Sequence, residues 1–288
     1  MEEIVPLMKE LPSKHAAEVE KGERFEFGKN WSQFISLLDE ERILTAENSL
    51  KEMLETESLA GKTFVDVGSG SGLFSLAARR LGAKVRSFDY DTSSYLCTTT
   101  LRNRYYKNDD DWITEQGSVL DKDYLKSLGK FDLVYSWGVL HHTGDLWTAI
   151  RNVENLVSDG GKVFIALYND TGSQAARWKT IKKTYCSLPR ILQATFAAAV
   201  TAPEEGKRFL SGVLRFDPLV NFRMWKEYKE LRGMSRWHDI VDWVGGYPYE
   251  VSGPDEVFEF FKARGYRLTK MKVTGVGLGC NQFVFEKE

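Results

Sequence analysis

A short apolar strand that runs directly into alternating glycines is the feature of this sequence that most limits its fold. The run Thr63–Val67 is rich in β-branched and aromatic residues, and Gly68-Ser69-Gly70-Ser71-Gly72 connects it to the amphipathic stretch Leu73–Leu81. Glycines between a strand and a helix let the backbone approach a bound ligand closely. The backbone N–H groups at the start of the helix can then donate to polar groups of that ligand. The segment therefore predicts the first half of a nucleotide-binding β-α-β unit.

The alternation of strands and helices continues along the chain. Three further apolar runs have strand length: Lys84–Phe88, Phe131–Trp137 and Lys162–Tyr168. Gly160 and Gly161 predict a turn into the last of them. Near the C-terminus, Tyr266–Thr274 and Asn281–Glu286 flank a glycine-rich turn, which predicts an antiparallel hairpin. We therefore expect an α/β fold with a doubly wound, mostly parallel sheet that ends in this hairpin.

The pattern outside this core is helical and divides the chain into four parts. Residues 1–60 predict an N-terminal helical cap, and residues 61–168 form the sheet-building, cofactor-binding core. Residues 169–250 are mostly helical in pattern and too numerous for a loop, so they predict a helical insertion that covers the substrate. Residues 251–288 predict a helix and the hairpin that complete the core sheet.

Composition argues against several classes of protein. Lys and Arg number 39 against 41 Asp and Glu, a net charge of −2, which disfavours a nucleic-acid partner. The longest uncharged stretches, such as Ile191–Pro203, are shorter than the roughly 20 residues of a membrane-spanning helix. Acidic Glu2 and Glu3 stand where a secretory signal would be basic, so we expect a cytoplasmic protein. Three widely spaced cysteines predict neither a disulfide framework nor a thiolate metal site.

The glycine spacing distinguishes between two nucleotide cofactors. A dinucleotide fingerprint reads G-x-G-x-x-G, whereas this chain reads G-x-G-x-G with Asp66 two residues upstream. An acid at this place suits an ammonium group better than a pyrophosphate, which favours S-adenosylmethionine (SAM) over NAD. Asp89, at the end of the second strand, is placed to accept hydrogen bonds from both hydroxyls of a ribose. A nicotinamide oxidoreductase is the alternative within this fold class.

Four segments resemble the successive motifs of class I SAM-dependent methyltransferases. They are Asp66–Gly72, Asp89, Gly117–Asp121 and Ser136–His142, and the resemblance extends from about Thr63 to Tyr168. The chain most resembles the small-molecule branch that includes the ubiquinone-pathway O-methyltransferases. The resemblance implies a Rossmann-like methyltransferase fold, in which the doubly wound sheet has seven strands, with SAM as cofactor. It implies methionyl contacts at Asp66, Gly68, Ser69, Gly70 and Gly72, ribose contacts at Asp89, adenine contacts at Tyr90, Ser118 and Val119, and Trp137 beside the transferring methyl. Ser118 stands where the family often has Asp.

The histidine pair after the fourth strand is the predicted source of a general base. His142 matches a position that recurs in the quinone-type branch, and His141 is the second candidate. An alcohol or phenol becomes a better nucleophile when it loses its proton, and histidine suits that task. We therefore predict O-methylation of a small hydroxylated methyl acceptor, a sugar or a phenolic ring. The alternatives are a histidine that only shapes the pocket, a protein or tRNA as methyl acceptor, and a methyltransferase-like binding subunit without catalysis.

Two regions outside the motifs are predicted to bind the methyl acceptor. One is the N-terminal stretch Arg24–Trp31, and the other is Arg232–Tyr249, where aromatic residues alternate with Arg, His and Asp. Such a mixture suits a hydroxylated ring, although the tryptophans could belong to the core and the acids to a solvated helix face. The predicted contacts are Trp31, His238, Asp242, Trp243 and Tyr247. The i,i+4 spacing of His238 and Asp242 could hold a metal, but no third ligand accompanies them and no metal site is predicted.

The stretch Leu188–Val200 is apolar around much of a helix circumference. This pattern favours packing within the insertion or a homodimer face, with a lipid-tail groove or membrane-surface contact as the alternative. The predicted partners are therefore a small-molecule methyl acceptor and a second copy of the chain.

Overall fold

The computed structural model describes residues 14–28, 31, 35–214, 223 and 236–288. These residues form one seven-stranded sheet in the order β3-β2-β1-β4-β5-β7-β6. The strands are β1 (Thr63–Val67), β2 (Lys84–Asp89), β3 (Trp112–Gln116), β4 (Phe131–Trp137), β5 (Val157–Tyr168), β6 (Tyr266–Lys272) and β7 (Cys280–Lys287). Strands β1 to β5 are parallel, whereas β7 runs antiparallel between β5 and β6. The predicted mostly parallel sheet with an antiparallel C-terminal pair is confirmed.

Helices cover both faces of the sheet. Those in the described residues are α1 (Lys14–Glu20), α2 (Glu40–Leu54), α3 (Leu73–Arg80), α4 (Thr92–Tyr105), α5 (Lys122–Leu128), α6 (Leu146–Glu154), α7 (Ser173–Ser187), α8 (Arg190–Leu214), α9 (Arg236–Gly245) and α10 (Pro254–Lys262). Helices α2, α3 and α4 bury residues such as Leu50 and Leu76 against one face. Helices α5, α6 and α10 bury residues such as Ile150 and Phe261 against the other. Burial on both faces explains why the parallel strands are almost continuously apolar.

Strand β5 is longer than the sequence predicted. It begins at Val157, and Gly160 and Gly161 lie within it instead of forming a turn before it. The pairing of β5 with β4 shifts register between Phe131 and Leu133. Gly160 has a φ of 70°, a value that favours glycine. The two glycines therefore belong to an irregularity inside the strand.

Helices α7, α8 and α9 form a third and smaller hydrophobic cluster, which we call the insertion core. Its buried residues include Tyr185, Ala197 and Val244, and Phe25 from the N-terminal segment packs against them. Helix α8 buries Ala197 but leaves Ile191 84% exposed, so part of its apolar surface packs within the insertion. The homodimer and membrane-surface contacts stay predictions, as do the boundaries of the four predicted parts. Across the described ranges, no helix is long and apolar enough to cross a membrane.

Candidate cofactor and acceptor site

The glycine loop lies at the carboxyl end of β1, between β2 and the turn after β4. The backbone N–H groups of Gly68 and Ser69 donate to the carbonyl of Phe88, at 2.9 and 3.1 Å. Gly68 has a φ of 77°, and a Cβ at this position would lie 2.3 Å from Cγ1 of Val139. Any side chain here would therefore collide with the turn that carries the histidine pair. The loop backbone therefore lies close to the ends of β2 and β4. A nucleotide cofactor that binds at this edge of the sheet would contact the same backbone.

Asp89 ends β2 and faces the glycine loop. Its Oδ2 accepts from the N–H of Gly70 at 2.9 Å, and its Oδ1 accepts from the N–H of Asp91 at 2.9 Å. Burial and the nearby carboxylate of Asp91 raise the pKa of Asp89 to about 7. The side chain nevertheless keeps some exposure at the cleft. A carboxyl group in this position can accept further hydrogen bonds, and its predicted contact with the ribose hydroxyls stays a prediction.

Asp66 lies beneath the loop, and the residue is only 2% exposed. Its Oδ2 accepts from the hydroxyl of Ser75 at 2.5 Å, and Ser75 in turn contacts the hydroxyl of Ser87 at 2.7 Å. The indole N–H of Trp112 donates to Ser87 at 2.9 Å. Burial raises the pKa of Asp66 to about 7. The carboxyl group thus ties β1 to α3 through this buried polar chain, and its predicted contact with the methionyl ammonium stays a prediction.

The predicted adenine contacts gather beside Asp89. The N–H of Gly117 donates to the carbonyl of Asp89 at 3.0 Å, which brings Ser118 and Val119 to the end of β2. Ser118 Oγ accepts from the N–H of Leu120 at 3.2 Å, and the carbonyl of Val119 accepts from the Asn152 side chain at 2.8 Å. These hydrogen bonds hold the backbone of Ser118 and Val119 in place beside Asp89.

Two aromatic residues complete the predicted cofactor surface. Tyr90 donates its hydroxyl to Glu18 of α1 at 3.1 Å, and burial raises the pKa of Tyr90 to about 12. Trp137, at the end of β4, is 44% exposed. Tyr90 is therefore covered by the N-terminal segment, whereas Trp137 remains open for contact.

His142 has a defined tautomer. Its Nδ1 lies 2.6 Å from the carbonyl oxygen of Pro248, and because a carbonyl only accepts, Nδ1 carries the proton. Nε2 therefore holds a lone pair. The ring contacts those of Phe27 and Tyr168, at centroid distances of 4.8 and 5.4 Å, and is partly exposed. Burial lowers the pKa of His142 to about 3, so the ring is neutral at physiological pH.

His141 has the opposite tautomer and a different environment. Its ring is fully buried, and Nδ1 accepts from the N–H of Tyr168 at 3.2 Å, so the proton lies on Nε2. Nε2 has no hydrogen-bond partner among the described residues. Burial, His142 and Lys182 hold the pKa of His141 well below its usual value. His141 therefore anchors the turn after β4 to the end of β5.

The N-terminal segment is attached to the histidine turn and to the cofactor side. Arg24 donates to the carbonyls of His142 and Thr143, at 2.6 and 3.1 Å. The N–H of Gly28 donates to Asp91 at 2.7 Å. A Cβ on Gly70 would lie 3.2 Å from the indole of Trp31. The structure thus places the indole of Trp31 against the glycine loop. The predicted contact of Trp31 with the methyl acceptor stays a prediction.

The insertion contributes less open surface than the sequence predicted. Trp243 and Tyr247 pack against the insertion core, as does Trp178, whose ring centroid is 5.1 Å from that of Trp243. The carbonyl of Asp242 accepts from the N–H of Gly246 at 2.9 Å. The side chain of His238 lies outside the described part of the structure. Of the four other predicted acceptor contacts, Trp31 lies at the glycine loop, and Asp242, Trp243 and Tyr247 lie in the insertion. Their contact with a methyl acceptor stays a prediction.

A cavity of about 890 Å³ lies between α1, the start of α4 and the insertion. Arg24, Phe25, Asp91 and Tyr185 are among its lining residues. Because Arg24 also contacts the carbonyl of His142, the cavity adjoins the histidine turn, although His142 itself does not line it. Its volume is typical of a small-molecule site. Within the described ranges, no group of three or more His, Cys, Asp or Glu side chains is arranged to hold a metal ion.

Sequence reasoning missed Lys182 and the turn that supports His142. Lys182 of α7 is fully buried, and its Nζ donates to the carbonyl of Trp243. A lysine within the basic pair Lys182-Lys183 carries no signal of burial in the sequence. Pro248 was part of the aromatic-rich stretch, but a backbone carbonyl as a histidine partner leaves no mark in the residue pattern.

The fold and site define a class of protein. The strand order with an antiparallel final pair, the glycine loop and the acid at the end of β2 are those of a class I methyltransferase. A family model described as a methyltransferase domain matches residues 38–197, more than half of the chain, and the chain belongs to this family. The predicted membership of the SAM-dependent methyltransferases is thus confirmed. The alternative of a nicotinamide oxidoreductase is wrong.

Similar curated proteins are named ubiquinone biosynthesis O-methyltransferases. That of Pseudomonas paraeruginosa is 29% identical over 116 residues, which cover 40% of this chain and 48% of the relative. That of Cupriavidus pinatubonensis is 31% identical over 113 residues, which cover 38% of this chain and 43% of the relative. The chain thus spans less than half the length of these two relatives.

Solved structures with the same fold include two methyltransferases. The magnesium protoporphyrin IX methyltransferase of Synechocystis PCC 6803, with bound S-adenosylhomocysteine (SAH), is 12% identical at a TM-score of 0.50, covering 85% of this chain and 83% of that one. PKMT2 from Rickettsia typhi, in complex with the same compound, is 13% identical at a TM-score of 0.53, covering 86% and 53%. At these identities, the likeness shows a shared fold.

Proposed function

We propose that the protein transfers the methyl group of SAM to a hydroxyl of a small ring compound, with His142 as general base. The observation that carries this proposal is the hydrogen bond between Nδ1 of His142 and Pro248, which leaves Nε2 as a proton acceptor. A base must have its lone pair available in the tautomer that the protein fixes. His142 meets this condition, whereas Nε2 of His141 carries a proton.

The residues around the glycine loop fit the cofactor. Gly68 and Gly70 let the loop backbone pack directly against Val139 and Trp31, because a Cβ on either glycine would meet one of these side chains. Asp89 would hold the ribose hydroxyls, and the Tyr90 and Ser118–Val119 segments would line the adenine. SAM supplies an electrophilic methyl group. The chain's own residues hold the methyl acceptor and remove its proton.

The weak basicity of His142 favours a phenolic hydroxyl over a sugar hydroxyl. With a pKa of about 3, His142 accepts a proton only from a group that becomes acidic as methyl transfer proceeds. A phenol, with a pKa of about 10, is far more acidic than an aliphatic alcohol. The rings of Phe27 and Tyr168 beside His142 provide aromatic contact surface for such a ring. The names of the relatives point to methylation of an oxygen in quinone biosynthesis, which agrees with a phenolic methyl acceptor.

The first experiment is calorimetric titration of the protein with SAH, beside the Asp89→Asn variant. We expect micromolar binding by the wild type and at least about tenfold weaker binding by the variant, because an amide loses a charge-assisted acceptor for the ribose. Equal affinities would contradict the role of Asp89. Asp132→Asn is the matched control, because this acid bonds to Thr63 at the opposite end of the sheet.

The second experiment follows methyl transfer from labelled SAM to a panel of catechols, other phenols and sugars. We expect turnover with phenols, and His142→Gln should reduce it by roughly 10²-fold or more while leaving SAH affinity unchanged. Turnover with sugars alone would overturn the phenolic assignment. An unchanged rate in His142→Gln would show that this residue only shapes the pocket.

A further inference from the structure

Lys182 is a buried lysine whose hydrogen-bond partner, among the described residues, is a backbone carbonyl and not a carboxylate, and burial lowers its pKa to about 7. The residue is 0% exposed, and Nζ donates to the backbone carbonyl of Trp243. Nζ also lies over three aromatic rings, 4.3 Å from the centroid of Trp243, 5.0 Å from Tyr249 and 5.8 Å from Trp178. We call this group of three rings the aromatic cage. Burying an ammonium group is costly, and contact with ring faces offsets only part of that cost. A neutral side chain would fill this place at lower cost.

The carbonyl that Lys182 holds belongs to the segment that supports His142. Trp243 lies near the end of α9, and two residues later the carbonyl of Gly245 accepts from Sγ of Cys186 at 3.1 Å. Lys182 and Cys186 lie one turn apart on α7, so this helix holds two carbonyls of the segment, those of Trp243 and Gly245. The chain then reaches Pro248, whose carbonyl accepts from His142. Helix α7 therefore fixes the backbone that determines which nitrogen of His142 carries the proton.

The cage is also connected to the histidine turn through ring contacts. The ring of Tyr168 lies 5.9 Å from Trp243 and 5.2 Å from Tyr249, and it stacks on His141 at 3.8 Å. A shift of the cage would therefore be transmitted to both histidines.

We propose that Lys182 is a positioning residue for methyl transfer, whose side-chain amine in the aromatic cage fixes the segment Trp243–Pro248 and thereby the tautomer of His142. This inference rests on the proposed function of His142 as base. Lys182 acts through backbone carbonyls and does not touch the methyl acceptor. Its charge has a second effect, because Lys182 is among the causes, after burial, that lower the pKa of His142. When Lys182 is protonated, its charge therefore adds to burial, the larger cause, in keeping His142 neutral.

The test measures the tautomer directly on the full chain. Long-range ¹H–¹⁵N spectra distinguish the protonated from the unprotonated ring nitrogen, and His142→Gln assigns the signals. We expect the wild type to show His142 protonated on Nδ1. Lys182→Met and Lys182→Gln should show both tautomers of His142 in exchange, whereas Lys182→Arg, which keeps the charge and a donor, should retain the single tautomer. Lys183→Met is the matched control, since Lys183 is the exposed neighbour on the same helix.

Kinetics provide the second readout. We expect the two neutral variants to lower kcat roughly 10- to 100-fold, with SAH affinity unchanged and partial rescue in Lys182→Arg. A single Nδ1-protonated tautomer in either neutral variant would overturn the inference. The spectra need no methyl acceptor, so they test Lys182 independently of the proposed function. If the tautomer changes as expected but the protein methylates no hydroxyl, only the proposed function is rejected. Normal methylation with an unchanged tautomer would reject only the role of Lys182.

Discussion

The buried carboxyl of Asp66 gives the protein a stability that depends on pH. Burial raises its pKa from 3.8 to about 7 in the folded state. Because the uncharged form is favoured on folding, this group stabilises the fold fully below about pH 4, and the contribution is lost as the pH rises through 7. We predict that Asp66→Asn gains about 2–3 kcal/mol in free energy of unfolding, relative to the wild type, between pH 5 and pH 9. Urea unfolding at several pH values measures this difference.

Asp132→Asn is the control for this prediction. Hydrogen bonds from Thr63 lower the pKa of Asp132 below 3.8, so its ionisation is complete across this pH range in both folded and unfolded states. The variant should therefore differ from the wild type by a constant amount between pH 5 and pH 9. If Asp66→Asn also differed by a constant amount, the carboxyl of Asp66 would be ionised throughout the range.

The sequence located these residues but not their orientation. The motif spacing identified Asp66 and Asp89, yet the face of the sheet on which Asp66 lies depends on its register with Ser87 and Tyr135 in neighbouring strands. Pairing register between distant strands leaves no local pattern in a buried parallel sheet. The resemblance placed His142 before His141 as candidate base, but the sequence does not show that the His141 ring is buried and the His142 ring partly exposed.

At the level of elements, helix α9 packs closely because it ends in two glycines. A Cβ on Gly245 would lie 2.3 Å from Cε2 of Phe25 and 3.0 Å from Cε1 of Tyr185. We predict that Gly245→Ala lowers the free energy of unfolding by about 1–3 kcal/mol, the usual cost of overpacking. Gly206→Ala is the matched control, because Gly206 lies in α8 with nothing within 4 Å of its Cβ position.

The control should change stability in the opposite direction. An alanine in an exposed helix interior is about 0.5–1 kcal/mol more favourable than glycine, so Gly206→Ala should raise the midpoint of urea unfolding. Equal midpoints for the two variants would mean that α9 does not press against Phe25 in solution.

Helical periodicity predicted the insertion as helices but not what they pack against. An apolar face shows that a helix is covered, and it does not identify the covering element. Trp243 and Tyr247 are predicted to contact the methyl acceptor, and the structure shows that both also pack against the insertion core, which the sequence did not indicate. The sheet was predictable because alternating strands and helices permit few topologies.

On the scale of the whole molecule, the N-terminal segment joins parts of the chain that are distant in sequence. Arg24 binds the carbonyls of the histidine turn, the N–H of Phe25 donates to the carbonyl of Tyr247 at 2.8 Å, and Gly28 donates to Asp91. The segment therefore contacts the histidine turn, the insertion and the cofactor side together. We predict that this arrangement, which we call the closed form, covers the cleft and contributes to SAH binding.

A substitution of Arg24 tests whether the closed form contributes to SAH binding. Its guanidinium donates to two carbonyls of the histidine turn, pairs with Glu18 at 3.0 Å and lies 5.3 Å from the ring centroid of Tyr90. Arg24→Met removes these polar contacts, and charged hydrogen bonds of this kind are worth about 1.5–3 kcal/mol. Because apparent affinity falls with the fraction of molecules in the closed form, we predict roughly tenfold weaker SAH binding.

The matched control for Arg24→Met is Arg267→Met, which loses an ion pair with Glu286 on the C-terminal strands. This variant should bind SAH as the wild type does, with a comparable or smaller loss of stability. Calorimetry measures both SAH affinities. The midpoints of urea unfolding show whether a loss of affinity comes with a general loss of stability or only with loss of the contacts of the N-terminal segment. Unchanged SAH affinity in Arg24→Met would mean that the N-terminal segment covers the cleft without contributing to cofactor binding. A tenfold loss with a nearly unchanged unfolding midpoint would instead assign the binding energy to closure of the cap over Tyr90 and the histidine turn.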